Sequence, residues 1–212
     1  LFQYVIDQQR VNLKNSPQDV RNHLYLLAVM NRAQGYFPEL VDEAINLAHD
    51  ALKLSPTRPQ TYFELAQAYF FKQEFDKGLE AFKKAIELQP EPKESHLNYL
   101  LGAIIAHRPE IVEEEEQEIL NRGYKFTVSD YFSIARAYII ANDQLGAITV
   151  YQKIALLDPK NIDVHTRLAA IYGDLCELEK ARAEVERATE LNQSFILQGQ
   201  QFLRDLETKC KK

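Results

Sequence analysis

Tyr62-Phe63-Glu64-Leu65-Ala66-Gln67-Ala68-Tyr69, followed by Gly78, Phe82, Ala85 and Pro90, is the stretch that decides the fold. Tyr62, Leu65, Ala66 and Tyr69 stand at i, i+3, i+4 and i+7, so they share one face of a helix. The same order returns as Tyr131, Ile134, Ala135, Tyr138, then Ala147, Tyr151, Ile154 and Pro159. It returns again as His165, Leu168, Ala169, Tyr172, then Ala181, Val185 and Ala188, with Gln193 where the proline would stand. Spacing within each unit is identical, and the last two units begin 34 residues apart, at Tyr131 and His165. A period of that length means stacked helical hairpins, each too small to bury its apolar face alone. Ala66, Ala135 and Ala169 mark where paired helices cross closest, and Gly78, Ala147 and Ala181 do the same on the second helix. Phe82, Tyr151 and Val185 then fill the space toward the next hairpin. Pro90 and Pro159 lack an N–H and end each pair.

This order of a large residue, Leu or Ile, a small residue and Tyr, then small–x3–large and a proline, resembles the tetratricopeptide repeat. The resemblance implies an all-α fold: an α-solenoid of about five antiparallel helical hairpins in a right-handed superhelix with flanking helices. It implies one solenoid domain over residues 1–212. Residues 1–16 form an N-terminal helix with Leu1, Val5, Gln8 and Val11 on one side, and Ser16-Pro17 opens the next helix. A degenerate repeat spans 17–57, with Leu24, Leu27, Ala28, Ala44, Ala48, Ala51 and Pro56 and a long Gly35-Tyr36-Phe37-Pro38 connection. Residues 58–92 are a clean repeat. Residues 93–127 are an irregular one, its first helix read as Leu97, Leu100, Leu101, Ile104 and Ile105 and its second carrying Glu113 to Glu116. Residues 128–161 and 162–193 are two further repeats. A capping helix over 194–212 turns Phe195, Phe202, Leu203 and Leu206 inward, because solenoids need ends with a polar outer face.

The 212 residues are 46% apolar and carry a net charge of −6. No run approaches the ~18–20 apolar residues that span a bilayer. No secretory leader is legible, and a chain opening at Leu1 already in helix reads as a piece of something longer. These features read as cytoplasmic, with a membrane tether in upstream sequence as the variant. No cluster of Lys and Arg is interleaved with aromatics, so nucleic acid is not an expected partner. Cys176 and Cys210 form no CxxC pair and suggest no disulfide, which leaves a reducing compartment as the default. The glycines and prolines are expected mostly at hairpin turns.

No catalytic or metal site is expected. The five histidines are scattered, and no phosphate-binding glycine loop or nucleophile elbow occurs. His165 occupies the bulky site of Tyr62 and Tyr131 and reads as a packing residue. The carboxylates of Glu113 to Glu116 diverge by about 100° per residue on a helix, so they read as a solvated face rather than a metal site. Neither cofactor nor enzymatic activity is expected.

The resemblance places the partner site on the first helix of each hairpin, facing a concave groove. The groove residues it implies are Phe63, Gln67, Phe70 and Phe71, then Phe132, Arg136, Ile139 and Ile140, then Thr166, Ala170, Gly173 and Asp174, with Arg167 beside them. Relatives that clamp a terminal carboxylate use lysine and asparagine at these sites. This chain has Phe63 and Phe132, with Gln67 and Arg136, and only Arg167 is similar to a clamp residue. A contiguous apolar patch marks an interaction site, so the expected ligand is an apolar or amphipathic segment of a protein partner; the other reading is that several of these residues are buried between adjacent first helices or covered by the terminal helix. The alternative is a soluble accessory region of a membrane-bound glycan enzyme: Ser55-Pro56-Thr57-Arg58-Pro59 and the Ala181-Arg182-Ala183-Glu184-Val185 run resemble the repeat region of O-antigen ligase or polymerase-like proteins.

Overall fold

The computed structural model describes residues 1–210, and the expected extension of the last helix to Lys212 lies outside them. Twelve α-helices and two 3₁₀ turns, with no strand, make up the secondary structure of the described residues. The chain groups into two compact units, one from Leu1 to Tyr124 and one from Lys125 onward. The first holds α1 (Phe2–Asn15) and the hairpins α2/α3 (Val20–Ala33, Val41–Leu54), α4/α5 (Pro59–Phe71, Phe75–Leu88) and α6/α7 (Lys93–Ile105, Pro109–Asn121). The second holds α8/α9 (Val128–Ile140, Gln144–Leu157), α10/α11 (Ile162–Asp174, Leu178–Leu191) and a final α12 (Ile196–Lys209).

The repeat period sets the helix starts. First helices begin at residues 59, 93, 128, 162 and 196. The one extra residue falls in the connection after α7, where Gly123 turns with φ +80°. In α4/α5, α6/α7, α8/α9 and α10/α11 the first helix ends at a left-handed residue: Gln73, His107, Asn142 or Cys176, with φ between 55° and 62°. The following N–H groups cap the helix: Gln73 N bonds Phe70 O and Glu74 N bonds Tyr69 O, and the other three turns repeat the arrangement. None of these four positions is glycine, contrary to expectation. Most glycines sit inside helices instead, where a side chain would collide. A Cβ on Gly78 would stand 2.6 Å from the Phe70 ring.

Small residues at the crossings are buried as their spacing requires: Ala66, Ala135, Ala147 and Ala181 are fully enclosed and Ala169 nearly so. In α6, however, the buried residues are His96, Leu100, Gly102, Ala103 and Ile104, and Leu97, Leu101 and Ile105 are only half-buried. The expected register is therefore one residue off, because the 34-residue period puts His96, not Leu97, where Tyr62 stands. A one-residue shift turns a helix by about 100°. In α1 the packed residues are Phe2, Ile6 and Leu13, whereas Leu1 and Val11 are exposed, so the expected apolar side is also displaced.

The last helix packs back on the fifth hairpin. Leu206 is buried, and a Cβ on Gly173 would stand 2.8 Å from Leu206 Cδ1 and 3.0 Å from Phe202 Cζ. Glu207 pairs with Arg182 at 2.8 Å and Lys209 with Asp174 at 3.0 Å. Cys176 and Cys210 are joined as a disulfide with their Cα atoms 5.6 Å apart, which corrects the sequence reading. They are 34 residues apart, one repeat length. α12 begins 34 residues after α10, so it stands as the first helix of a sixth repeat, and the period brings equivalent turns side by side.

Candidate functional site

In the first unit α4 carries Phe63, Gln67, Phe70 and Phe71. Phe63 is half-buried and lies edge-on to Phe82, with ring centroids 5.5 Å apart. Phe70 packs against Phe75 and Phe82, at 5.5 and 5.7 Å, and its ring lies over Gly78 and Gly102. It is the junction between the second and third hairpins. Phe71 points away from that junction and is 53% exposed. Gln67 is half-buried. Neighbouring phenylalanines thus have opposite environments, since successive helical residues point about 100° apart.

In the second unit Phe132 repeats the geometry of Phe63, edge-on to Tyr151 at 6.1 Å. The Arg167 guanidinium lies 5.9 Å from the Phe132 ring centre, a cation–π contact. Arg136 is exposed, and so are Ile139 and Ile140, at 44% and 59%. Leu145, at the start of α9, adds a further exposed apolar residue near the same turn.

The two edge-on pairs occupy matching positions in their hairpins: Phe63 with Phe82, and Phe132 with Tyr151. The fifth hairpin has Thr166 and Val185 at those positions. The space between first helix, second helix and next first helix changes accordingly. In the second hairpin it is a cleft of about 270 Å³ with Phe63, Glu64, Ala85 and Ser95 among its walls. In the fifth it is a cavity of about 340 Å³ with Ala169, Ala170, Val185, Ala188 and Phe202 on its walls and Asp163 and Gln198 also lining it. Asp163, Thr189, Gln198 and Phe202 were absent from the groove residues expected from sequence. The signal was present in the 34-residue comparison of Phe132 and Tyr151 with Thr166 and Val185.

Buried polar groups lie beside these surfaces. Asn31 Nδ2 donates to Glu64 Oε2 at 2.7 Å and to Glu64 O at 2.9 Å, and Gln34 Nε2 donates to Asn31 Oδ1 at 3.0 Å. Burial raises the Glu64 pKa above the ordinary carboxylate value, partly offset by the Asn31 hydrogen bond. A raised folded-state pKa means the native protein binds this proton more tightly than the unfolded chain. Its contribution to stability is therefore largest at low pH and is lost as pH rises from the ordinary carboxylate value through the raised one. Glu64→Gln is expected to be neutral or stabilising near pH 7 and to remove that part of the pH dependence. Urea titrations of both proteins across this range test it, and parallel profiles would contradict it.

Glu115 departs from the solvated face expected for Glu113 to Glu116. Its carboxylate is mostly buried, 2.7 Å from His96 Nδ1, while His96 Nε2 faces Pro90 O at 3.0 Å. Burial raises the Glu115 pKa, with the His96 contact opposing the shift. Glu113 and Glu114 are exposed. His165 pairs with Glu184 at 2.7 Å, so the fifth hairpin repeats the arrangement with the same 19-residue separation. His165 is buried, as a packing residue at that site must be. Among the described residues no group of three His, Cys, Asp or Glu side chains is placed to hold a metal ion. No helix among them is long and apolar enough to cross a membrane.

Residues 59–92, which comprise α4, α5 and the start of the next connection, match the family model of the tetratricopeptide repeat. No curated protein matches the chain in sequence. Among solved structures, a tetratricopeptide repeat protein from Parabacteroides merdae is similar, with a TM-score of 0.63 and 15% identity over 97% of this chain and 84% of that one. The tetratricopeptide-repeat protein TTC0263 of Thermus thermophilus gives 0.58 and 20% identity over 80% and 90% of the two chains. YrrB, described as a tetratricopeptide-repeat protein with an unusual peptide-binding site, gives 0.53 and 14% over 89% and 94%. Residues 59–92 thus carry one tetratricopeptide repeat, and the consecutive hairpins give the chain the fold of these tetratricopeptide-repeat structures.

Proposed function

We propose that the chain is a non-catalytic scaffold that binds a protein partner through the first helices of its hairpins. The observation that carries this reading is the exposure of large apolar residues at the ends of those helices, Phe71 in one unit and Ile139 and Ile140 in the other. Such side chains are solvated at a cost that an apolar or amphipathic partner segment relieves. Repeat solenoids bury their core between neighbouring hairpins, so surface residues of this kind are free to vary with the partner. Of the residues expected in a groove, Phe63, Phe70 and Phe132 support the surface by packing beneath it, and Phe71, Arg136, Ile139, Ile140 and Arg167 are the ones available for contact.

The Cys176–Cys210 bond supports an oxidising compartment in place of the reducing one read from the cysteines, because such bonds persist where thiols are not kept reduced. No feature of the structure favours the accessory role in a membrane-bound glycan enzyme.

Phe71→Glu and Ile140→Glu are expected to reduce partner capture at least tenfold, with helicity and melting nearly unchanged. The charge sits in water until binding must desolvate it. A photo-crosslinking residue at position 71 or 140, followed by mass spectrometry, identifies the partner. Equal capture by the wild type and both variants would remove these surfaces from the interaction.

A further inference from the structure

At the place where the second and fourth hairpins hold a phenylalanine against an aromatic partner, the fifth has no ring and its opening is larger than the cleft of the second, about 340 against 270 Å³. At one pair of repeat positions the second hairpin holds Phe63 against Phe82, with an interplanar angle of 61°, and the fourth holds Phe132 against Tyr151 at 64°. The fifth holds Thr166 and Val185, and the space is an apolar cavity of about 340 Å³. An apolar cavity of about 150 Å³ is enough to admit a benzene-sized ring. Its floor is Ala169, Ala170, Val185 and Ala188, with Phe202 on the α12 side. Asp163 is the only ionisable side chain on its wall, and it is exposed. The α12 wall is held by the Leu206 and Phe202 contacts with Gly173, by two ion pairs and by the disulfide, so the cavity is formed before any ligand arrives.

We propose that this cavity receives one aromatic side chain of a partner segment, with a neighbouring basic residue of that segment paired to Asp163. This rests on the reading of the chain as a protein-binding scaffold and names the anchor that scaffold takes in its fifth hairpin. The choice of an aromatic ring comes from the template within the chain: in two other hairpins this place is filled by a phenylalanine lying edge-on to an aromatic partner. The choice of a basic neighbour comes from charge, since a lone carboxylate at the mouth attracts a cation and disfavours an acidic segment. An anchor of this kind, one ring in a preformed apolar pocket with a polar rim, is the arrangement that dominates many protein–peptide interfaces.

The test uses the full, oxidised, ¹⁵N-labelled chain titrated with acetyl-GKFKG-amide, and in parallel with acetyl-GKAKG-amide and acetyl-GQFQG-amide. The phenylalanine peptide is expected to shift the amides of Thr166, Ala170, Val185 and Gly199 and to bind at least about tenfold more tightly than the alanine peptide. Thr166→Phe, which places there the residue of the second and fourth hairpins, is expected to abolish this binding with an equal or higher melting temperature. Ala170→Leu fills the same space from another wall and is expected to do likewise. Asp163→Asn is expected to bring the lysine-flanked peptide down to the affinity of the glutamine-flanked one. Equal binding of the phenylalanine and alanine peptides, shifts centred elsewhere, or undiminished binding by both filled variants would overturn the proposal. Partner capture that depends on Phe71 or Ile140 but not on Thr166 would overturn it too, leaving the scaffold reading intact. Loss of both dependences would remove the two together.

Discussion

Breaking the Cys176–Cys210 bond, by reduction or by Cys176→Ser with Cys210→Ser, is expected to cost about 3–4 kcal/mol in the stability of the region it closes. The bond spans 34 residues, and loop-closure entropy for a loop of that length gives this magnitude. The loss should be local. In a solenoid each element is held by its neighbours alone, and α12 buries only Leu206 fully. Without the bond its hold is the Leu206 and Phe202 contacts with Gly173, the packing of Gly199 on Val185 and two exposed ion pairs, each worth about 0–1 kcal/mol. Hydrogen exchange should then show residues 196–206 opening first, while α8 and α9 keep their protection. Deleting everything after Gln193 takes the same effect further, because it uncovers Val185 and Ala188 and should lower solubility as well as melting temperature. Identical exchange in the oxidised and reduced protein would mean that packing alone holds α12.

Phe70→Ala and Phe71→Ala are expected to differ by several kcal/mol although the residues are adjacent. Phe70 contacts two other rings and closes over two glycines. Its truncation leaves a cavity between two hairpins and should cost about 3–5 kcal/mol. Phe71 is 53% exposed, and its truncation should stay within about 0.5 kcal/mol. Chemical denaturation of both variants measures the contrast. Similar losses would place Phe71 in the core as well and would remove it from the binding surface proposed above.

The contrast between these two residues shows where a one-dimensional reading stops. A groove position was expected at both, because repeat numbering assigns a site to a face but says little about what the neighbouring hairpin places over it. Phe63 and Phe132 are similar cases: the aromatic partners that half-bury them, Phe82 and Tyr151, lie on the second helix. The register of α6 failed for a related reason. Leu97, Leu101 and Ile105 are more apolar than His96, yet the 34-residue period puts His96 in the buried site, and a carboxylate from α7 satisfies it.

By itself the sequence determined the helices, their pairing and the small residues at each crossing. These are nearest-neighbour properties written in a fixed period: Ala66 and Gly78 must be small wherever a pair of helices crosses that closely. Only the tertiary structure decided which aromatics are covered, that Glu115 is buried, that Cys176 meets Cys210, and that Thr166 and Val185 leave a cavity. Each depends on atoms brought together from helices that are not consecutive, or on a side chain's direction about its helix. Stacking one repeat on the next supplies Gly102 over Phe70, Phe202 beside the cavity and Cys210 for Cys176, while the Phe63–Phe82, Phe132–Tyr151 and His96–Glu115 pairs lie within single hairpins and turn on side-chain direction.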